Sequence, residues 1–115
     1  MCYITRWWIM YINLKNKDID IKVCNNYFNR LIGYMFYLDP ITNGLCFPNC
    51  NAVHTMFLYQ PIDIAMTDNN NKILYLYQNV KPWRIINEKD VTTTYEFASG
   101  MLDEYSVGDT LKIKE

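Results

Sequence analysis

The stretch that decides the fold runs from residue 54 to residue 84 and reads HTMFLYQPIDIAMTDNNNKILYLYQNVKPWR. Ile62 and Ile64 alternate with Asp63, which is the period-two pattern of a β-strand. The polar run DNNN that follows is typical of a turn, and the apolar run ILYLY predicts a returning strand. The stretch therefore predicts an antiparallel β-hairpin.

The rest of the chain predicts further strands around this hairpin. These strands fall at residues 7–14, 18–24 and 93–97, and in the last residues after Gly108-Asp109. The first two form a second hairpin, because only a short polar linker separates them. Residues 39–51 contain two prolines and an Asn43-Gly44 step, so they predict a loop.

Two short helices are also expected. Asn25 or Asn26 can cap the first, whose apolar residues recur at helical spacing from Phe28 to Met35. Ser99-Gly100 opens the second as a short helical turn. These elements predict a mainly β fold of the α+β class, with a mostly antiparallel sheet. Residues 1–115 are expected to form one domain.

The composition excludes several classes of protein. The net charge is −1, from 11 basic and 12 acidic residues, so we expect neither nucleic acid nor an anionic membrane as a partner. No apolar segment approaches the roughly 20 residues that a membrane-spanning helix needs. The first residues lack the small-residue cleavage site of a signal peptide, so we expect a cytoplasmic protein whose four cysteines remain thiols.

Several motifs occur in an order that is specific to one family. They are residues 30–36 (RLIGYMF), Cys50 with His54-Thr55-Met56, Pro61-Ile62-Asp63, Pro82-Trp83-Arg84, Glu96, Gly100 and Gly108-Asp109. In these motifs nearly the whole chain resembles the domain of unknown function 192 family. It departs from the family pattern at Tyr34, where leucine is usual, and at Ala98-Ser99, where a dipeptide of the Pro-Ala kind is usual. The resemblance implies a compact β-barrel-like fold with short helices and no established activity.

Three polar side chains are candidate site residues. His54 is the only histidine and therefore the natural general acid or base, although a hydrogen-bonded structural role is the alternative. Asp63 and Glu96 each oppose apolar neighbours on a strand, and they could act as an acid and base pair if they converged. We favour structural roles for both, in which Asp63 caps a turn or binds backbone amides and Glu96 pairs with Arg84 or Arg30.

The segment KPWR at residues 81–84 is the most ligand-like cluster of the sequence. Trp83 offers a flat apolar face, and Arg84 offers a planar fork for a carboxylate or phosphate. Three tyrosines lie nearby along the hairpin: Tyr59, Tyr75 and Tyr77. Together they predict an aromatic-lined groove for a sugar, a peptide or another small ligand, with a packed corner as the alternative.

Three residues have a spacing that could suit a metal site. Cys46, Cys50 and His54 recur every four residues, and two thiolates with one imidazole could bind zinc. A fourth ligand is not evident in the sequence, and Phe47-Pro48 disfavours the helix that would align the three. Buried thiols are the better interpretation, so we expect no metal and no cofactor.

These observations favour a non-catalytic binding or accessory module. It would hold an unknown small molecule or peptide with the side chains His54, Asp63, Trp83, Arg84 and Glu96. The alternative is a hydrolase or lyase for a small polar substrate, with His54 or Asp63 as base and Arg84 holding an anion. A structural or oligomer-forming domain is a third hypothesis, and the sequence leaves the oligomeric state open.

Overall fold

The computed structural model of the protein describes residues 10–14, 17–24 and 33–114. Within these ranges the chain forms strands and turns, with no helix. The strands are β1 (Met10–Leu14), β2 (Lys17–Val23), β3 (Gly44–Pro48), β4 (Ala52–His54), β5 (Ile62–Thr67), β6 (Ile73–Val80), β7 (Ile85–Asn87), β8 (Thr93–Ala98) and β9 (Ile113–Lys114).

Seven of these strands form one sheet in the order β6-β5-β8-β3-β2-β1-β9, and β4 pairs with β7 in a separate two-stranded sheet. All neighbours in the large sheet are antiparallel except β2 and β3, which are parallel. This confirms the predicted β1–β2 and β5–β6 hairpins and the predicted strands that became β8 and β9. The position of β1 between β2 and β9 leaves neither of its edges free.

The two ends of the strand order approach each other. The Ile73 N–H at the start of β6 donates to the Asp109 carbonyl, and the Ile73 carbonyl accepts from the Gly108 N–H. An antiparallel bridge joins Lys72 to Thr110, a few residues before β9 at the other end of the order. The large sheet is therefore a curled half-barrel, which confirms the predicted mainly β architecture.

One hydrophobic cluster, called here the inner core, lies on the concave side of this sheet. Its buried residues are Ile12, Leu14, Ile19, Ile21, Cys46, Ala65, Ile73, Tyr95, Phe97, Leu102, Tyr105 and Leu111. Because β1 and β6 stand near opposite ends of the strand order and still contribute to one cluster, the sheet must curl around it. Full burial of each large apolar side chain contributes about 1.5–3 kcal/mol.

A second cluster, called here the outer cluster, covers the other face of the sheet. Its buried residues are Cys24, Tyr34, Ile41, Leu45, Phe47, Leu58, Ile62, Ile64 and Met66. Val53 of β4 and Ile86 of β7 pack against it, so the small sheet lies over this face together with the segments around residues 34–41 and 58. These covering segments carry the candidate site.

The predicted loop at residues 39–51 is wrong in its centre, because residues 44–48 form β3 in the middle of the sheet. The Asn43-Gly44 step was one of the features that predicted a loop. Instead, Gly44 begins the strand and is packed against a ring: a Cβ atom there would lie 2.6 Å from Cε1 of Phe97. Glycine at this position thus serves a close approach between β3 and β8.

The predicted second helix is also wrong. Residues 99–104 form consecutive turns, in which the N–H groups of Met101, Asp103 and Tyr105 each donate to a carbonyl three residues earlier. Gly100, at φ 95°, adopts a left-handed conformation that interrupts a helix. The first predicted helix falls largely on residues 25–32, which lie outside the described residues, and residues 33–36 after it form a turn.

No helix in the described part of the chain is long and apolar enough to cross a membrane.

Candidate functional site

Four aromatic side chains meet on the surface in what we call the aromatic platform: Phe36, Phe57, Tyr59 and Trp83. The Phe57 and Trp83 rings meet edge to face with centroids 4.8 Å apart. Phe36 lies 5.4 Å from Phe57 and 6.3 Å from Tyr59 by the same measure. The platform therefore joins three separate segments of the chain into one continuous apolar surface.

These rings remain open to solvent although they touch one another. The exposed fractions are 56% for Phe36, 42% for Phe57, 57% for Tyr59 and 58% for Trp83. Of the nine large hydrophobic residues that are exposed in the described part of the chain, seven lie in the three platform segments, residues 33–38, 54–60 and 81–85. A contiguous exposed patch of this kind marks an interaction site more often than a scatter of single residues does.

The backbone of the platform is held in an unusual conformation. Phe36, Phe57 and Trp83 have φ angles of 62°, 65° and 72°, in the left-handed region that bulky side chains avoid. Every other described non-glycine residue with positive φ is an asparagine or an aspartate, the types that tolerate this region. A left-handed bulky residue costs on the order of 1–3 kcal/mol and persists only where its surroundings enforce it, which is a recurrent property of functional sites.

Thr55 supplies much of this enforcement. Its side chain is fully buried, and its hydroxyl donates to the Lys81 carbonyl at 2.8 Å while accepting from the Arg84 N–H at 2.8 Å. Its backbone N–H donates to the Arg84 carbonyl and its carbonyl accepts from the Trp83 N–H. Thr55 thus joins the second platform segment to the third. Because Phe57 lies in one of these segments and Trp83 in the other, the same bonds fix where the two rings lie.

The first segment is fastened in the same way. The Phe36 N–H donates to the Phe57 carbonyl at 3.0 Å. The Gln60 amide donates to the carbonyls of Tyr37 and Asp39 at 3.3 and 2.6 Å. These bonds fix the relative positions of the rings before any ligand is present, so the platform is pre-organised.

His54 lies at the border of the platform, at the end of β4 and opposite Ile85 of β7. It is half-buried, and its Nδ1 accepts a hydrogen bond from the Met56 N–H at 3.1 Å. This arrangement gives His54 a local structural role next to the aromatic surface.

Asp63 is not part of the exposed platform, because its side chain is 0% exposed. Its Oδ1 accepts the Asn79 N–H at 2.8 Å, and its Oδ2 accepts the N–H groups of Gly100 and Leu102 at 3.0 and 2.9 Å. The carboxylate therefore ties β5 to the end of β6 and to the turns after β8. The predicted interpretation in which Asp63 binds backbone amides matches this geometry.

Glu96 lies on the opposite face of the sheet from Asp63. It is 4% exposed and stands between Leu45 and Ile64, both members of the outer cluster. Burial raises the pKa of this carboxyl group to about 8. The structure thus separates the two carboxylates that could have formed an acid and base pair.

Of the two ion pairs predicted for Glu96, with Arg84 and with Arg30, the structure describes both residues of the first pair alone. Arg84 is exposed in the segment after β6, whereas Glu96 is buried. Arg30 lies outside the described residues.

The two cationic side chains of the third segment are both exposed, Lys81 before Trp83 and Arg84 after it. Segments 33–38, 54–60 and 81–85 contain these two cations and no carboxylate, although the whole chain carries a net charge of −1. Asp39 follows the first segment, near Gln60. The Trp83 end of the platform is therefore locally basic.

The suggested metal ligands do not gather. Cys46 belongs to the inner core, and Cys50 packs against the outer cluster on the other face of the sheet. Among the residues that the structure describes, no group of three or more histidine, cysteine, aspartate or glutamate side chains is placed to hold a metal ion. Cys46 and Cys50 form no disulfide among the described residues.

The sequence patterns indicated Trp83, Arg84 and Tyr59 as candidates but gave no sign of Phe36 or Phe57. Phe57 stands in the motif HTMF beside the histidine that drew attention, and Phe36 ends the run RLIGYMF. Both resemble core residues in sequence, and no local signal predicts their left-handed backbone. Conversely, Tyr75 and Tyr77 of the expected groove pack against the outer cluster, and the Tyr77 hydroxyl bonds to the Glu88 carboxylate.

Comparison with known proteins agrees with this fold. A crystal structure of a protein from Sinorhizobium meliloti, described as a "putative transcription regulator", is similar with a TM-score of 0.72 and 16% identity, over 92% of this chain and 91% of that one. A protein of unknown function from Novosphingobium aromaticivorans is similar with a TM-score of 0.71 and 13% identity, over 93% and 84% of the two chains. These likenesses show a shared fold.

No curated protein sequence matches the chain. The family pattern of DUF192, described as "Uncharacterized ACR", matches residues 10–113. The chain belongs to this family, the domain of unknown function 192 family, as its motifs indicated.

Proposed function

We propose that the protein is a non-catalytic recognition module that binds its ligand on the aromatic platform. The observation that carries this proposal is the set of three exposed aromatic residues, Phe36, Phe57 and Trp83, in left-handed conformations and in mutual contact. The fold bears an unfavourable backbone conformation at each of these positions and still leaves the rings in water. Binding of a partner's apolar groups would compensate for that exposure.

The arrangement of polar groups supports recognition over catalysis. The oxygens of Asp63 are occupied by backbone N–H groups, and Glu96 is buried on the other face of the sheet. Of the three candidate acids or bases, His54 is the one that belongs to a platform segment, and its Nδ1 already accepts a hydrogen bond from the Met56 N–H. A general base needs a free acceptor within reach of the substrate, and the platform offers ring faces and cations instead.

The ligand classes that suit the platform are an apolar peptide, a sugar or another small molecule with a flat face. Aromatic rings provide large contact areas at a low cost in conformational entropy, since each has two side-chain torsions. Arg84, exposed next to Trp83, can add a bidentate contact to a carboxylate or phosphate. The rings would supply affinity, and the cations would orient the ligand.

The experiment is a comparison of ligand capture by the wild-type protein and by Trp83→Asn. Asparagine tolerates the left-handed backbone at this position, so the variant should fold while losing the indole. The probes are a phage-displayed library of random peptides and an array of immobilised oligosaccharides. We expect ligands from at least one of them to bind the wild-type protein and to be lost with the variant.

Val107→Asn is the matched control. Val107 is also exposed, at 62%, but it lies outside the platform segments. Ligands that bind both variants as well as the wild-type protein would place the recognition surface elsewhere. Failure of the wild-type protein to capture any member of either library would likewise overturn the proposal.

A further inference from the structure

Strand β7 has a free edge that continues directly into the platform. It pairs with β4 alone within the described part of the chain. The Thr55 N–H donates to the Arg84 carbonyl, and the Glu88 N–H donates to the Asn51 carbonyl. In an antiparallel pair such bonds recur at every second residue, so the backbone groups of residues 84, 86 and 88 face β4, and those of Ile85 and Asn87 face away from it.

The other edge of this small sheet is less available. The carbonyl of Ala52 in β4 accepts a hydrogen bond from the Cys50 thiol, and the first platform segment runs beside the continuation of β4 through the bond from Phe36 to Phe57. On β7, by contrast, Ile85 is 73% exposed and Asn87 is exposed as well. Unpaired strand edges of this kind are templates for pairing with another extended chain.

The side chains around β7 indicate which kind of extended peptide would pair with its free edge. Trp83 stands only two residues before Ile85, so an added strand that continues toward it reaches the platform within two or three residues. Lys81 and Arg84 are exposed at this end of the platform, and no carboxylate occurs in residues 81–85. Apolar side chains that alternate with acidic ones therefore complement both the rings and the cations.

From this juxtaposition we infer that the platform recognises an extended peptide with alternating apolar and acidic residues, which adds to the free edge of β7. The inference rests on the proposed function and names its ligand class. The peptide backbone exchanges hydrogen bonds with Ile85 and Asn87, its apolar side chains cover Phe57 and Trp83, and its acidic side chains approach Arg84. This is recognition by β-strand addition.

The test uses a fluorescein-labelled peptide of eight residues in which glutamate alternates with phenylalanine. Binding to the full chain is measured by fluorescence anisotropy. A peptide with arginine in place of glutamate is the control for charge. We expect saturable binding of the glutamate peptide, at least roughly tenfold weaker binding of the arginine peptide, and a similar loss with Trp83→Asn.

Backbone pairing is tested separately on each partner. Methylation of one peptide nitrogen at a time should weaken binding by roughly threefold to tenfold at alternate positions only, because alternate N–H groups face β7. On the protein, Asn87→Pro removes the outward N–H while leaving the bonds toward β4 intact. Asn87→Ala, which keeps that N–H, measures the contribution of the side chain, and unchanged thermal melting verifies that the variants fold.

The outcomes separate this inference from the proposed function. Binding that depends on Trp83 but is insensitive to every N-methyl group overturns strand addition and leaves platform recognition in place. Equal binding of the glutamate and arginine peptides overturns the acidic specificity. Absence of peptide binding, with binding to phosphatidylglycerol vesicles or to immobilised oligosaccharides, overturns the inference and assigns the platform to that surface instead. Absence of all binding overturns both proposals.

Discussion

Asp63→Asn is expected to destabilise the protein strongly, although it replaces one atom. The side chain is 0% exposed, and its two oxygens accept three backbone N–H groups, those of Asn79, Gly100 and Leu102. Asparagine offers one carbonyl oxygen and one NH₂ group. Whichever way it is oriented, at least one of the three N–H groups then faces a donor, and the remaining bonds lose the charge of the carboxylate.

The magnitude follows from these contacts. A hydrogen bond to a charged group contributes roughly 1.5–3 kcal/mol, and a buried donor left without an acceptor adds a penalty of its own. The loss of one or two such bonds predicts a decrease of roughly 2–5 kcal/mol in the free energy of unfolding. A domain of this size has about 5–15 kcal/mol in total, so the change is a large fraction of it.

The assays are urea denaturation and thermal melting, both followed by far-ultraviolet circular dichroism. At about 4 °C per kcal/mol for a domain near this length, the thermal midpoint should fall by roughly 8–20 °C. Asp103→Asn is the matched control, since Asp103 is an exposed aspartate in the same run of turns. Hydrogen exchange should also show lost protection at the N–H groups of Gly100 and Leu102.

The reasoning is refuted if Asp63→Asn is as stable as Asp103→Asn. That result would mean that the three N–H groups find equivalent partners without the carboxylate. A variant that stays fully stable but loses an enzymatic turnover would revive the alternative in which Asp63 is a base.

Three other outcomes are expected. Gly44→Ala should lower the free energy of unfolding in urea by roughly 1–3 kcal/mol, because the added carbon would lie 2.6 Å from Cε1 of Phe97. Burial raises the pKa of Glu96 from 4.5 to about 8, so the folded state holds a proton that the unfolded chain releases. Stability should therefore fall as pH rises through this interval, and Glu96→Gln should remove that slope in denaturation curves. Iodoacetamide should modify Cys50 before Cys46 in the native protein, as read by mass spectrometry, because burial raises the pKa of the Cys46 thiol to about 12.

Each of these expectations has a contrary result. Full stability of Gly44→Ala would show that the Phe97 ring moves aside at no cost, and Phe97→Leu in the same chain should otherwise recover part of the loss. A pH slope that survives Glu96→Gln would belong to other groups. Equal labelling of Cys46 and Cys50 would show that the inner core opens on the timescale of the reaction.

The strands that sequence patterns predicted are those with a local signature. In β5 and β2 the alternation of apolar and polar residues can be recognised without knowing the partners, and both were found. β3 reads GLCFP, with an Asn-Gly step at its start and a Pro-Asn step at its end. These two turn-like steps hid the short apolar run between them. It is a strand because β2 and β8 pair with it, and both partners lie far from it in the sequence, since β2 ends at Val23 and β8 begins at Thr93.

The predicted second helix is absent from the structure for a related reason. Its apolar spacing from Met101 to Tyr105 suited a helix, but Gly100 adopts a left-handed conformation and Asp63 draws the N–H groups of Gly100 and Leu102 toward β5. A carboxylate far away in the chain thus decides the conformation of these turns. The helix propensity of a short segment predicts its conformation poorly where hydrogen bonds to distant parts of the chain compete with the helix.

The sequence by itself determined the family, the mainly β class and the two hairpins, because these follow from residue types and short spacings. Only the tertiary structure decided that Asp63 and Glu96 lie on opposite faces of the sheet and that Phe36 and Phe57 join Trp83 on the surface. The physical reason is that these relations depend on strand order and on hydrogen bonds between distant segments, such as those of Thr55 with Lys81 and Arg84. Contacts between segments far apart in the chain leave no periodic trace in either segment alone.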